Sequence, residues 1–157
     1  MKPQRRGFSL VELLAVLAIL ATLASIGVPL AELAQQRRQE EALREALREL
    51  RDAIDRYKRL ADEGHIVRAA DGSGYPPRLE LLVEGIVDAK SPEGRRIYLL
   101  RRLPRDPFAP AETAAAASWG QRSYASPPDD PRPGADVFDI HSLSPKRGLD
   151  GRPYRTW

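Results

Sequence analysis

The feature that most limits what this chain can become lies near its N-terminal end. Nineteen residues without a formal charge separate Glu12 from Glu32. A helix that crosses the hydrocarbon core of a bilayer needs about 20 predominantly apolar residues, at a rise of roughly 1.5 Å each. Residues 13–31 therefore read as a membrane segment. Glu12 stands at its opening, where a carboxylate is unfavourable by roughly 2.5–3.5 kcal/mol near the bilayer centre and by less toward the interface. An ionisable group kept at that cost is a functional candidate.

Ahead of the run stands Arg5-Arg6-Gly7-Phe8-Ser9-Leu10-Val11-Glu12. In these residues the chain resembles the type IV pilin-like proteins, the family with a class III signal. The resemblance implies that a prepilin peptidase cuts between Gly7 and Phe8 and methylates the new N-terminus. It also implies that Glu12 meets the Phe8 amine of a neighbouring subunit during assembly. The physics is compatible, because two opposite charges that each lose hydration in a low-dielectric surround recover part of that loss when they meet. An ordinary secretory signal, with Ala21-Thr22-Leu23-Ala24 as its cleavage region, is the plain alternative. Glu12 interrupts the apolar core such a signal needs, the run is too long, and a helical pattern continues out of it.

The expected organisation is a leader at 1–7, a transmembrane and polymerisation helix at 8–34, and a periplasmic head at 35–157. Within the head, 35–63 reads as an amphipathic helix, 64–118 as a mixed helix and loop region, and 119–157 as a β-hairpin with a C-terminal tail. Pro29 lies inside the membrane helix and removes one backbone hydrogen bond, so a kink or local melting is expected there. Beyond residue 35 the helical period persists while the composition turns polar. Leu43, Leu47, Leu50, Ile54, Tyr57 and Ala61 form one stripe at spacings of 4 and 3, the face that packs on a small sheet. Charges fill the other faces. Among them Glu40–Arg44 and Asp52–Arg56 are favourable i,i+4 pairs and Glu45–Glu49 is not, each worth a few tenths of a kcal/mol.

Gly64 reads as the helix stop. A short helix is expected over 78–84, ended by Gly85, and another from Ser91-Pro92-Glu93 to Arg102 carrying Ile97, Tyr98, Leu99 and Leu100. Leu103-Pro104-Arg105-Asp106-Pro107-Phe108 reads as a rigid corner with a polar tip at Asp106. Residues 110–118 form a loop or one helical turn. Residues 119–125 and 137–143 read as two antiparallel strands around a proline- and aspartate-rich turn, with a third strand or an extended tail beside them. The fold class is α+β: a long N-terminal helix on a small antiparallel sheet.

Tyr75-Pro76, Tyr98-Leu99 and the 103–108 segment look like the major pseudopilin of type II secretion systems. That resemblance implies a subunit of a periplasmic pseudopilus, a homo-oligomeric helical filament. Its partners would be other pseudopilins, the prepilin peptidase and an inner-membrane secretion platform. It would start as a single-pass protein of the bacterial inner membrane with its head in the periplasm, and it would not be an enzyme. A subunit of a type IV or DNA-uptake pilus is the alternative in the same class, and a membrane-tethered binding module the alternative outside it.

The formal charge is +3, from 25 basic and 22 acidic residues. Lys2, Arg5 and Arg6 precede the expected cut, so the mature chain balances at 22 of each and bulk charge does not point to nucleic acid. The chain has no cysteine, so no disulfide can hold its tail. In the pseudopilin family a calcium ion often serves as that clamp. Here the corresponding loop offers Asp150 and the carbonyls of 143–149, beside Lys146 and Arg147, which oppose a divalent ion. The other candidate clamp is Pro153, Tyr154 and Trp157 folding back onto the head. Asp139, His141 and Ser142 crowd together, but strand neighbours point to opposite faces, so they do not read as a catalytic triad.

Overall fold

The computed structural model describes residues 9–68 and 72–157, and the chain divides into two compact units, Met1–Arg38 and Gln39–Trp157. One helix, α1 (Leu10–Asp62), contributes to both. Gly7 and Phe8 lie outside the described residues.

In the first unit α1 is apolar and uncovered. Leu13, Leu14, Leu17, Leu20 and Leu23 are all exposed, and the helix is long and apolar enough to cross a membrane. Its polar side chains bond within the helix: Thr22 Oγ1 donates to the Ala18 carbonyl at 2.8 Å, and Ser25 Oγ to the Thr22 carbonyl at 2.7 Å. Such back-bonding is how hydroxyls are accommodated where no water is at hand. The helix runs on through Pro29.

In the second unit the predicted stripe is the core. Leu43, Leu47, Leu50, Ile54, Tyr57 and Ala61 are buried, and Leu79, Leu82, Leu99, Trp119, Val137, Ile140 and Tyr154 pack with them. The stop falls where expected. Gly64 takes φ 79°, and the amides of His65 and Ile66 both return to the Leu60 carbonyl, which satisfies an orphan acceptor at the helix end.

A short helix α2 (Leu81–Glu84) follows and ends at Gly85, with φ 82°. The second predicted helix does not form. Residues 86–97 instead make a two-stranded antiparallel pair, β1 (Ile86–Val87) and β2 (Arg96–Ile97), with Ile86 opposite Ile97. Gly94, at φ 65°, accepts a left-handed turn in which its amide bonds the Ser91 carbonyl at 3.1 Å. A helix started there would be too short to sustain itself in water. Leu99 and Leu100 both donate their amides to the Leu82 carbonyl, at 3.1 and 2.8 Å, and are held in the core by α2 rather than by a helix of their own.

Residues 110–118 contain a single 3-10 turn, Ala116–Ser118, leading into β3 (Trp119–Arg122). Strand β3 pairs antiparallel with β4 (Asp139–Ser142), placing Trp119 opposite Ser142 and Gly120 opposite His141. Both strands are shorter than the alternation suggested. Beyond β4 the tail makes an isolated bridge between Arg147 and Pro153 and a final 3-10 turn, Tyr154–Thr156.

Candidate functional site

Glu12 lies in the first turn of α1. Ser9 precedes the helix, its carbonyl accepting the Leu13 amide at 3.1 Å and its hydroxyl the Val11 amide at 3.3 Å. Ser9-x-x-Glu12 has the spacing of a capping box, an N-terminus signature that the reading of Glu12 as an assembly residue passed over. A carboxylate here also faces the positive end of the helix dipole, worth typically 0.3–1 kcal/mol. The acid at this position is thus compatible with a helix that begins at Leu10 and with an amine brought to it from elsewhere.

The tail is held by a buried carboxylate that the sequence pattern had placed in a surface ion pair. Glu40 is 3% exposed. Its Oε1 accepts the Tyr154 hydroxyl at 3.0 Å and the Leu149 amide at 2.8 Å, while Oε2 lies 3.6 Å from Arg44. Tyr154 is fully buried, stacked on Phe108 at 4.3 Å between ring centres and edge-on to Trp157 at 4.9 Å. Arg44 lies over the Trp157 ring at 4.3 Å. Arg51 adds a second tie, donating to the Trp157 carbonyl at 2.8 Å, to Asp139 at 2.8 Å and to the Ile140 carbonyl at 3.1 Å. This is the clamp of Tyr154 and Trp157 against the head.

Asp150, the calcium candidate of the sequence, is bonded within its own loop. Its two carboxylate oxygens accept the Arg152 amide at 3.0 Å and the Arg152 Nε at 2.8 Å, and those bonds hold its pKa below the usual carboxylate value. Calcium requires six to eight oxygens, usually with several carboxylates. Among the described residues no group of three or more His, Cys, Asp or Glu side chains is arranged to hold a metal ion. Asp150 is the one carboxylate of the 143–150 loop, and it is already engaged by Arg152.

Asp106 overturns its expected role. It is 1% exposed rather than a polar tip. Its carboxylate accepts the Phe108 amide at 2.8 Å and the hydroxyl of the fully buried Ser142, and its own amide bonds the Ser118 hydroxyl at 3.0 Å. The two prolines hold a corner that points inward and ties the 103–108 segment to β4. Aspartate accepts from its own backbone two residues on, which is the usual economy of such a turn. The long-range partner, 36 residues away, leaves no local mark.

Asp139, His141 and Ser142 are drawn apart by these bonds. Asp139 pairs with Arg51 and Ser142 with Asp106. His141 lies across Gly120 and has its pKa lowered, first by burial and then by Arg51 and Arg155, with Asp139 opposing. The other histidine, His65, sits with Nδ1 at 2.9 Å from Asp88, whose pKa falls through that bond and one from the Lys90 amide.

A family model described as the prokaryotic N-terminal methylation motif matches residues 2–28, the segment from the basic leader to the residue before Pro29. No curated protein and no solved structure matches the chain significantly. The motif is similar to the signal of type IV pilin-like proteins, and it overlies an uncovered apolar helix long enough to cross a membrane, which together support membrane anchoring.

Proposed function

We propose that the chain is a pseudopilin subunit. It is cut between Gly7 and Phe8 by a prepilin peptidase, methylated at Phe8, and held in the inner membrane with its head in the periplasm. It then polymerises through its N-terminal helix into a pseudopilus that serves type II protein secretion. The observation that carries this reading is the methylation motif laid over the first part of α1, where the leucines from Leu10 to Leu30 are uncovered. Apolar surface of that extent is stable only in lipid or against other helices. Glu12 gives the bundle its register by meeting the Phe8 amine of a neighbour, and Pro29 gives the helix one turn with a weakened ladder at which it adapts. Tyr75-Pro76 and the segment from Leu103 to Phe108 favour secretion over a pilus.

Replacing Glu12 with Ala or Leu tests the assembly role. The variant stays in the membrane as a monomer and forms no filaments. Filaments of ordinary length from Glu12→Ala would remove the role assigned to the carboxylate. Deleting the gene tests the secretion role: export of secreted proteins stops, whereas a pilus subunit would leave export intact.

A further inference from the structure

Two leucines of the head are left uncovered. Leu143 and Leu149 are 60% and 45% exposed, while the other described leucines of the second unit are buried or half-buried. Both belong to the loop after β4, and that loop is fixed. The Gly148 amide bonds the Arg152 carbonyl and the Gly151 amide the Gly148 carbonyl, both at 2.9 Å, and the Tyr154 amide returns to the Lys146 carbonyl at 3.2 Å. The backbone that seats Tyr154 in the core thus keeps Leu149 out of it.

Between the two leucines stand Lys146 and Arg147, both exposed. Lys146 has no ion pair or side-chain hydrogen bond among the described residues, and Arg147 donates to the Gly151 carbonyl at 3.0 Å. The acids beside them are largely engaged. Asp150 is taken up by Arg152, and Glu40 is buried under Leu149 and Tyr154 with Arg44 beside it. Glu41 is the exposed acid of α1 between Gln39 and Arg44, so the loop keeps a positive excess.

A single exposed leucine is ordinary. Leucines framed by cations suit a segment that rests in the headgroup layer of an anionic bilayer. Such a bilayer is within reach. The Leu149 amide bonds Glu40, which stands nine positions after Ala31, the end of the uncharged run. Even a fully extended chain of that length spans only about 30 Å. The covalent tether therefore keeps this loop near the membrane its own helix enters, and Arg37 and Arg38 within the tether carry the same sign of charge.

We propose that the 143–149 loop docks on the anionic lipid surface around its own anchor, with Leu143 and Leu149 entering the headgroup layer and Lys146 and Arg147 meeting lipid phosphates. This rests on the membrane anchoring of the chain. The docked head is the unassembled subunit, and extraction into a filament breaks the contact.

The chain has no cysteine, so Leu149→Cys gives the full chain one site for an environment-sensitive nitrobenzoxadiazole label. The labelled chain is reconstituted in phosphatidylcholine vesicles with and without phosphatidylglycerol, and doxyl lipids serve as quenchers. Blue-shifted, quenched emission is expected with phosphatidylglycerol, and a label in water at Val67→Cys, beyond the far end of α1. Lys146→Gln with Arg147→Gln lowers the docked-to-free ratio about 25-fold at low salt, roughly fivefold for each cation near an anionic surface. Lys146→Arg with Arg147→Lys retains it. Emission from position 149 that reports water, or a ratio unchanged in the glutamine pair, overturns the docking. A blue shift without quenching that grows with the protein-to-lipid ratio assigns the patch to a second copy and overturns it too. Carbonate extraction separates the two levels. A chain washed off the vesicles overturns the anchor and the docking together, whereas one that stays with its label in water overturns the docking alone.

Discussion

The hydroxyl of Tyr154 donates to the carboxylate of Glu40 at 3.0 Å, joining residues 114 positions apart in the interior of the head. One carboxylate on α1 thereby fastens both the final 3-10 turn and the loop at Leu149. Without a disulfide, the tail depends on this bond and on the burial of the Tyr154 ring.

Tyr154→Phe keeps the ring and removes the donor. The head should lose about 1.5–3 kcal/mol of stability, as expected for a hydrogen bond to a charged group. Chemical denaturation measures it, and a double-mutant cycle with Glu40→Gln isolates the pair. If these side-chain contacts are the whole clamp, a chelator should leave the melting temperature unchanged.

The Asp106–Ser142 bond makes a second, independent prediction. Both groups are buried, so Ser142→Ala leaves a buried carboxylate oxygen short of a donor and should cost about 1–3 kcal/mol. Asp106→Ala, which also strands the Phe108 amide and the Ser142 hydroxyl, should cost more. Equal stability of either variant and the parent would show that the corner is not held from inside.

Gly120 predicts a steric effect. A Cβ there would stand 2.2 Å from His141 Nε2 across the strand pair. Gly120→Ala should destabilise by about 1–3 kcal/mol, the usual range for overpacking. Adding His141→Ala should recover most of that loss, as thermal melts of the single and double variants would show.

His141 also predicts how stability varies with pH. Its pKa in the folded head is depressed below the ordinary 6.5, so the unfolded chain takes up the proton first. The stability it confers is present above about pH 6.5 and is lost as pH falls from there through the folded value. Asp139, Arg51 and Arg155 act on it, the first raising and the others lowering its pKa. Denaturation at about pH 7.5 and about pH 5.5 should show a drop that His141→Gln reduces.

Much of the architecture was legible because it is periodic. The stripe from Leu43 to Ala61 and the stop at Gly64 follow from local spacing and from one residue that tolerates positive φ. The 91–102 segment was misread because its apolar residues suit a helix, whereas Gly94 and the carbonyl of Leu82 decide otherwise. Glu40 and Asp106 were misread for one shared reason. Each shows a plausible local role, as an i,i+4 ion pair and as a turn, and each is buried by partners 36 or more residues away. Sequence spacing carries no trace of such pairings. The Tyr154 and Trp157 clamp was visible in outline, since large aromatic residues at the end of a chain without cysteine need somewhere to pack, but its acceptor was not.

The most direct test of the account is the mass of the N-terminal peptide from the protein purified from its own membrane. The account predicts a chain that starts at Phe8 and carries one added methyl group on its amine. A chain that keeps residues 1–7, or one that starts at Ala24 or Ser25, would contradict it.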